Sequence, residues 1–155
     1  MPKSALLALL AAACALPAAA PAGFHYWTPA ELKAFSKSLA PKIDAQKVAT
    51  ASLGSYGSNY LFMIAHREGS GQAEYHLTQS DIFVVETGGG TLVYGGKMVD
   101  AKTTAPGEMR GPSIAGGLEK PLAPGDIVAI PPKTPHQVKL APGKEITYFV
   151  VKVTD

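Results

Sequence analysis

What most constrains this chain is a succession of short apolar stretches cut apart by glycine and proline. Tyr60, Phe62 and Ile64 alternate with Leu61, Met63 and Ala65, and further apolar runs lie near 82–85, 91–94, 127–130, 136–140 and 146–151. Between them stand Gly69 and Gly71, Gly88 to Gly90, Gly95-Gly96, Gly116-Gly117, Pro124-Gly125 and Pro142-Gly143. Short strands at regular spacing, each closed by a turn signal, specify an all-β sandwich or barrel. No solenoid-period repeat and no linker divides this region, so it reads as one domain.

Only one segment carries a strong helix signal. In Trp27-Thr28-Pro29-Ala30-Glu31-Leu32, Thr28 can cap, Pro29 suits the first helical position, and Glu31 completes a capping box. The expected helix runs to about Leu39, stops before Pro41, and covers one end or the outside of the barrel.

The N-terminus has a different character. Lys3 precedes an apolar run from Ala5 to Leu16, followed by Ala18, Ala19, Ala20, Pro21 and Ala22. A positive start, a short apolar core and a small-residue ending form a secretory signal peptide, expected to be cleaved after Ala22. The run is too short for a transmembrane helix. Leu10-Ala11-Ala12-Ala13-Cys14 also looks somewhat like a lipobox, which makes a lipoprotein anchored at Cys14 the second reading. The expected organisation is therefore a signal peptide at 1–22, a helical segment at 23–45 and a β-barrel domain at 46–155, in a periplasmic or secreted protein.

The single cysteine, Cys14, falls in that leader, so the mature domain has no disulfide, thiolate ligand or cysteine nucleophile. A formal charge of +2 with scattered basic residues gives no case for nucleic acid.

Two segments go beyond a generic β pattern. One is Glu74-Tyr75-His76-Leu77-Thr78-Gln79-Ser80-Asp81, continuing to Gly88. The other runs from Gly125-Asp126 through Pro131-Pro132-Lys133-Thr134-Pro135 to His136. Together they resemble the two motifs of the cupin superfamily, over about Leu61 to Val151. His76 matches the second histidine of the first motif, with Asp81 at its acidic position and Gly88 at its glycine. Gly125, Pro131 and His136 match the second motif. Four positions depart: Glu74 replaces the first histidine, Asp81 a glutamate, Lys133 a turn glycine, and Leu140 a terminal asparagine. The resemblance implies a small single-domain cupin: a double-stranded β-helix barrel of jelly-roll type, with a metal in its mouth in many members.

The residues support such a site directly. Positions two apart on a strand share a face, so Glu74 and His76 can converge. Asp81 returns after the Leu77 to Ser80 turn, and His136 arrives after the Pro131 to Pro135 turn. Two imidazoles with carboxylates form a mixed N/O set suited to Zn, Mn, Fe, Ni or Cu. His76, His136, Asp81 and Glu74 are thus the expected ligands. Asp81, one methylene short, can instead orient a histidine, and Glu74 can act as a general base. His66, on the strand parity of Tyr60 and Phe62, can stand in for the missing histidine. Tyr60, Phe62, His66 and Tyr148 are the candidates to line the pocket. Each also has a plain reading as a turn cap, strand-end carboxylate or core aromatic. Arg110 reads as a solvated loop arginine or as a contact for an anionic ligand. Gly88-Gly89-Gly90 lacks the Lys-Ser/Thr and helix of a phosphate loop, so no nucleotide site is expected.

Three function classes follow: a metal-dependent cupin acting on a small organic molecule, of oxygenase, isomerase or lyase type; a metal-free module holding a sugar or small acid; and a barrel that chiefly dimerises. Fold analogy alone cannot choose among them.

Overall fold

A computed structural model describes residues 19–154. Most of the expected signal peptide, residues 1–18 with Cys14, lies outside the described residues. Helix α1 (Pro29–Leu39) begins where the capping box places it. Thr28 Oγ1 accepts from the Glu31 N–H at 3.2 Å, and Glu31 Oε2 accepts from the Thr28 N–H at 2.7 Å. A 3-10 turn over Ala40–Lys42 ends it at Pro41.

The rest is sheet. In chain order the strands are β1 (Val48–Tyr56), β2 (Tyr60–Arg67), β3 (Ala73–His76), β4 (Gln79–Gly88), β5 (Gly90–Tyr94), β6 (Lys97–Val99) and β7 (Lys102–Ala105). They continue with β8 (Glu108–Gly111), β9 (Ser113–Ala115), β10 (Leu118–Leu122), β11 (Ile127–Ile130), β12 (His136–Lys139) and β13 (Ile146–Thr154). A five-stranded sheet in the order β1-β2-β13-β4-β11 faces a six-stranded sheet in the order β10-β5-β12-β3-β8-β7, and β6 with β9 makes a small third ribbon. All pairings are antiparallel.

Register decides which side chains meet inside. β2 and β13 pair Ala65 with Tyr148 and Met63 with Val150, while β13 and β4 pair Val150 with Phe83 and Lys152 with Asp81. The inward face therefore carries Met63, Ala65 and Arg67 from β2, Tyr148, Val150 and Lys152 from β13, and Asp81 and Phe83 from β4, all of which line one cavity. Phe83, Val85, Leu92, Ile130, Val138, Ile146, Tyr148 and Val150 form the buried core between the sheets. Apolar burial on this scale is the main stabilising term of such a barrel.

The outer face of β1 and β2 is apolar too, because other elements cover it. Leu39 of α1 packs with Ala49 and Ile64. Trp27 lies against Phe62 and Phe149, with ring centroids 5.2 and 5.6 Å away. At Gly88 the chain takes φ +74°, and a Cβ there would sit 2.1 Å from the Glu145 carbonyl oxygen. The close approach of β4 to the start of β13 needs glycine at that point.

Candidate metal centre

The mouth of the barrel is assembled by cross-strand pairs. β3 sits between β12 and β8: Glu74 is opposite His136 on one side and Arg110 on the other, and His76 is opposite Glu108. Lys133, in the turn before His136, has φ +63° and donates its N–H to the His76 carbonyl at 2.7 Å. That bond ties the two motif turns together and leaves the His76 and His136 rings 5.3 Å apart, centroid to centroid.

Both imidazoles are buried and both are held from behind. His76 Nδ1 lies 2.6 Å from Glu108 Oε2, and His136 Nδ1 lies 3.0 Å from the Thr134 carbonyl oxygen. A carboxylate or carbonyl facing Nδ1 accepts the ring proton there and leaves Nε2 as a bare acceptor. The two Nε2 atoms converge on Asp81 Oδ2, at 3.4 Å from His76 and 3.5 Å from His136. Glu74 Oε2 stands 3.6 Å from His76 Nε2. Imidazole nitrogens backed by acceptors, with carboxylates closing the same point, are the arrangement metal-binding histidines adopt. Ligand atoms of Glu74, His76, Asp81 and His136 all lie within 4.8 Å of one another, so this buried cluster fits a divalent ion.

One side chain at that point had no sequence expectation. Lys152 Nζ donates to Asp81 Oδ1 at 2.7 Å, to Asp81 Oδ2 at 2.9 Å and to His76 Nε2 at 3.1 Å. Those three bonds use all its N–H groups. His136 Nε2 is left buried without a hydrogen-bond partner. The ammonium therefore satisfies Asp81 and His76 but not His136. Burial would raise the Asp81 carboxyl, but the Lys152 ammonium, bonded to both of its oxygens, outweighs that and holds the group below the ordinary carboxylate range.

Around the mouth the ion pairs interlock. Glu74 Oε1 meets Arg67 at 3.3 Å and Glu74 Oε2 meets Arg110 at 3.3 Å; Arg110 also reaches Glu108 at 3.3 Å. Arg67 Nε donates to the Tyr148 hydroxyl at 2.7 Å. Behind these groups lies a cavity of about 650 Å³, lined by Arg67, Glu74, Asp81, Phe83, Arg110, Gln137, Tyr148 and Lys152 among others. It is in the size range of small-ligand sites.

No family model matches the chain, and no curated protein matches it in sequence. Solved structures do match in fold. The polyketide cyclase RemF from Streptomyces resistomycificus is 17% identical and superposes with a TM-score of 0.50, over 71% of this chain and 67% of that one. The Streptomyces nucleoside dehydratase Pac13, described as a β-barrel, is 11% identical with a TM-score of 0.51 over 72% of each chain. The DMSP lyase DddQ from Ruegeria pomeroyi DSS-3 is 15% identical with a TM-score of 0.50, and the match spans 70% of this chain but only 48% of that one. The fold is a cupin barrel.

Within this cupin barrel the expected ligands Glu74, His76, Asp81 and His136 stand together at the mouth. Asp81, though a methylene short, faces both Nε2 atoms directly. The expected pocket lining needs correction. Tyr148 lines the cavity, but Tyr60, Phe62 and His66 do not. They have the opposite strand parity and point to the outer face, where Tyr60 and Phe62 join the aromatic cluster around Trp27. His66 therefore cannot replace the missing motif histidine. Arg110 is no loop residue: it lies on β8, pairs with Glu74 and Glu108, and lines the cavity. Arg67, Glu108 and Lys152 were missed. Lys152 alone left a trace, a cation four residues from Tyr148 on an apolar strand and so on its face.

Proposed function

We propose that the barrel mouth holds a divalent metal ion on Nε2 of His76 and His136 with the carboxylates of Asp81 and Glu74, and that the cavity takes a small organic molecule beside it. The observation that carries this reading is the orphaned Nε2 of His136. It is buried, its ring is fixed through Nδ1, and it faces a carboxylate oxygen 3.5 Å away, too far for a hydrogen bond. A cation shared among the three groups relieves an arrangement that is otherwise costly.

When bound, such an ion supplies Lewis acidity toward an oxygen of the substrate or of water. The chain's own residues do the remaining work. Glu108 and the Thr134 carbonyl hold the imidazole tautomers. Arg67 and Arg110 fix Glu74, so accepting a substrate proton requires Glu74 to open one of those ion pairs. Lys152 must withdraw its ammonium for the ion to enter, and its stem can swing into the cavity it already lines. There, with Arg67 and Arg110, it favours a substrate bearing an anionic or strongly polar group. The fold neighbours named for a polyketide cyclase, a nucleoside dehydratase and a DMSP lyase support a small organic substrate.

Lys152 also favours a second reading, a metal-free pocket closed by its own ammonium. Elemental analysis of the mature protein, purified without a histidine tag, separates the two. About one divalent ion per barrel site in the wild type, lost in both His76→Ala and His136→Ala, supports the metal centre. A wild type whose content and uptake of zinc, manganese or iron are the same as those of His76→Ala and His136→Ala leaves the metal-free module.

We also propose that residues 1–22 direct export, leaving the 23–45 segment packed on a barrel domain of residues 46–155. No helix among the described residues is long and apolar enough to cross a membrane. N-terminal sequencing of the exported product tests cleavage after Ala22 against acylation at Cys14. Sedimentation of that product tests whether it is a homodimer.

A further inference from the structure

A second group of ligand-type side chains lies on the outer face of the five-stranded sheet, away from the cavity. His66 is the penultimate residue of β2 and Glu68 follows two positions on, so the pair shares a face. β13 pairs Thr147 with His66 and Ile146 with Arg67, the last pair of the ladder, so Glu68 just after β2 and Glu145 just before β13 leave it side by side. Backbone register alone thus collects one imidazole and two carboxylates at one spot.

The side chains point to a ligand there. His66 is only 5% exposed, and its Nδ1 is held by Thr147 Oγ1 at 2.9 Å. Its Nε2 is buried without a hydrogen-bond partner and lies 3.6 Å from Glu68 Oε1. That distance is too long for a hydrogen bond. It is close to the ~3.4 Å that separates two ligand atoms on a tetrahedral zinc ion. One oxygen from each glutamate and one ring nitrogen lie within 4.8 Å of one another. Two carboxylates this close repel each other. Among the described residues, no lysine or arginine forms an ion pair with either carboxylate.

We propose that His66, Glu68 and Glu145 form a second divalent-cation site, of zinc type, that cross-links the end of β2 to the start of β13. The Thr147 hydroxyl orients the ring, as hydrogen-bonded partners do behind metal-bound histidines. Two carboxylates balance the ion's charge, and their exposure leaves the site open from solvent. The site is independent of the barrel mouth, because residues 66 and 68 have the parity opposite to Arg67, which lines the cavity.

Zinc titration of the ¹⁵N-labelled protein, followed through the His66 ring resonances, tests the site with the metal alone. Glu68 and Glu145 are exposed, so Glu68→Gln and Glu145→Gln leave the fold intact. In the wild type, zinc is expected to shift the His66 resonances, and the double variant is expected to lose that response by at least tenfold in zinc concentration. Zinc responses of His76 and His136 report the barrel mouth separately and stay unchanged in the double variant. Wild-type His66 resonances that do not move at ~1 mM zinc, or that move equally in the double variant, overturn the proposal.

Discussion

Replacing Lys152 by methionine removes the ammonium while keeping an unbranched stem on β13. The ammonium makes two short contacts to Asp81 and one to His76, and the two paired side chains are only 16% and 3% exposed. Breaking a buried ion pair by deleting one partner costs about 3–5 kcal/mol, because the other charge stays behind uncompensated. Partial exposure of Lys152 puts the cost near the lower end, about 3 kcal/mol. In a domain of this size that is a fall of roughly 10 °C in the melting temperature of the metal-free protein. The same term acts in the other direction on metal binding. An ion entering the wild-type mouth must displace the ammonium, whereas in Lys152→Met it meets Asp81 unpaired. About 3 kcal/mol corresponds to roughly 100-fold tighter binding. The assay is zinc competition against a chromophoric chelator, in a Glu68→Gln/Glu145→Gln background so that only the mouth is read, with calorimetric melting in parallel. The account expects a metal-free variant that melts earlier, binds zinc about two orders of magnitude more tightly, and regains its melting temperature when loaded. Zinc affinity equal to or below that of the wild type would falsify the placement of Lys152 at the point where the ligands converge.

Glu108→Gln keeps the shape of the residue behind His76 but weakens the acceptor at Nδ1, so metal affinity is expected to fall about 10–100-fold by the same titration. The melting temperature should change little, because the Glu108 side chain is a quarter exposed. Tyr148→Phe deprives Arg67 Nε of its acceptor and is expected to destabilise the barrel by about 1–2 kcal/mol in denaturant unfolding. Burial, acting against the nearby Arg67 charge, raises the Tyr148 phenol above its ordinary value. The folded state thus keeps a proton that the unfolded chain gives up, so this contribution is complete below about pH 10 and lost as pH rises beyond it. Denaturant unfolding from pH 8 to 11 should show that alkaline loss in the wild type and a shallower one in Tyr148→Phe; identical slopes would count against it.

The barrel was legible because its cues are local. Strand alternation, the turn glycines and the capping box at Thr28 each act within a few residues. The motif turns did the same for the mouth, since His76, Asp81 and His136 all lie next to the turns that aim them. The side of β2 that faces the cavity was not legible. Phe62 and Ile64 on the outer face are as apolar as Met63 and Ala65 on the inner one, because α1 and Trp27 cover the outside. A period of two identifies two faces and leaves open which is interior. The β7 and β8 strands escaped notice for a related reason: Lys102–Ala105 and Glu108–Gly111 are polar, and their pairing depends on β3 as a template. With them went Glu108 and the strand setting of Arg110. Lys152 reaches Asp81 through β13–β4 register across 71 residues of sequence, beyond the reach of any local pattern.

Anomalous diffraction from crystals soaked in zinc, recorded on both sides of its absorption edge, reads the claimed coordination directly. A peak about 2.0–2.1 Å from Nε2 of both His76 and His136, with Asp81 as a further ligand and the Lys152 ammonium withdrawn into the cavity, is the predicted result. Density that shows the ammonium still bridging Asp81 and His76, with no anomalous peak between the two rings, would contradict it.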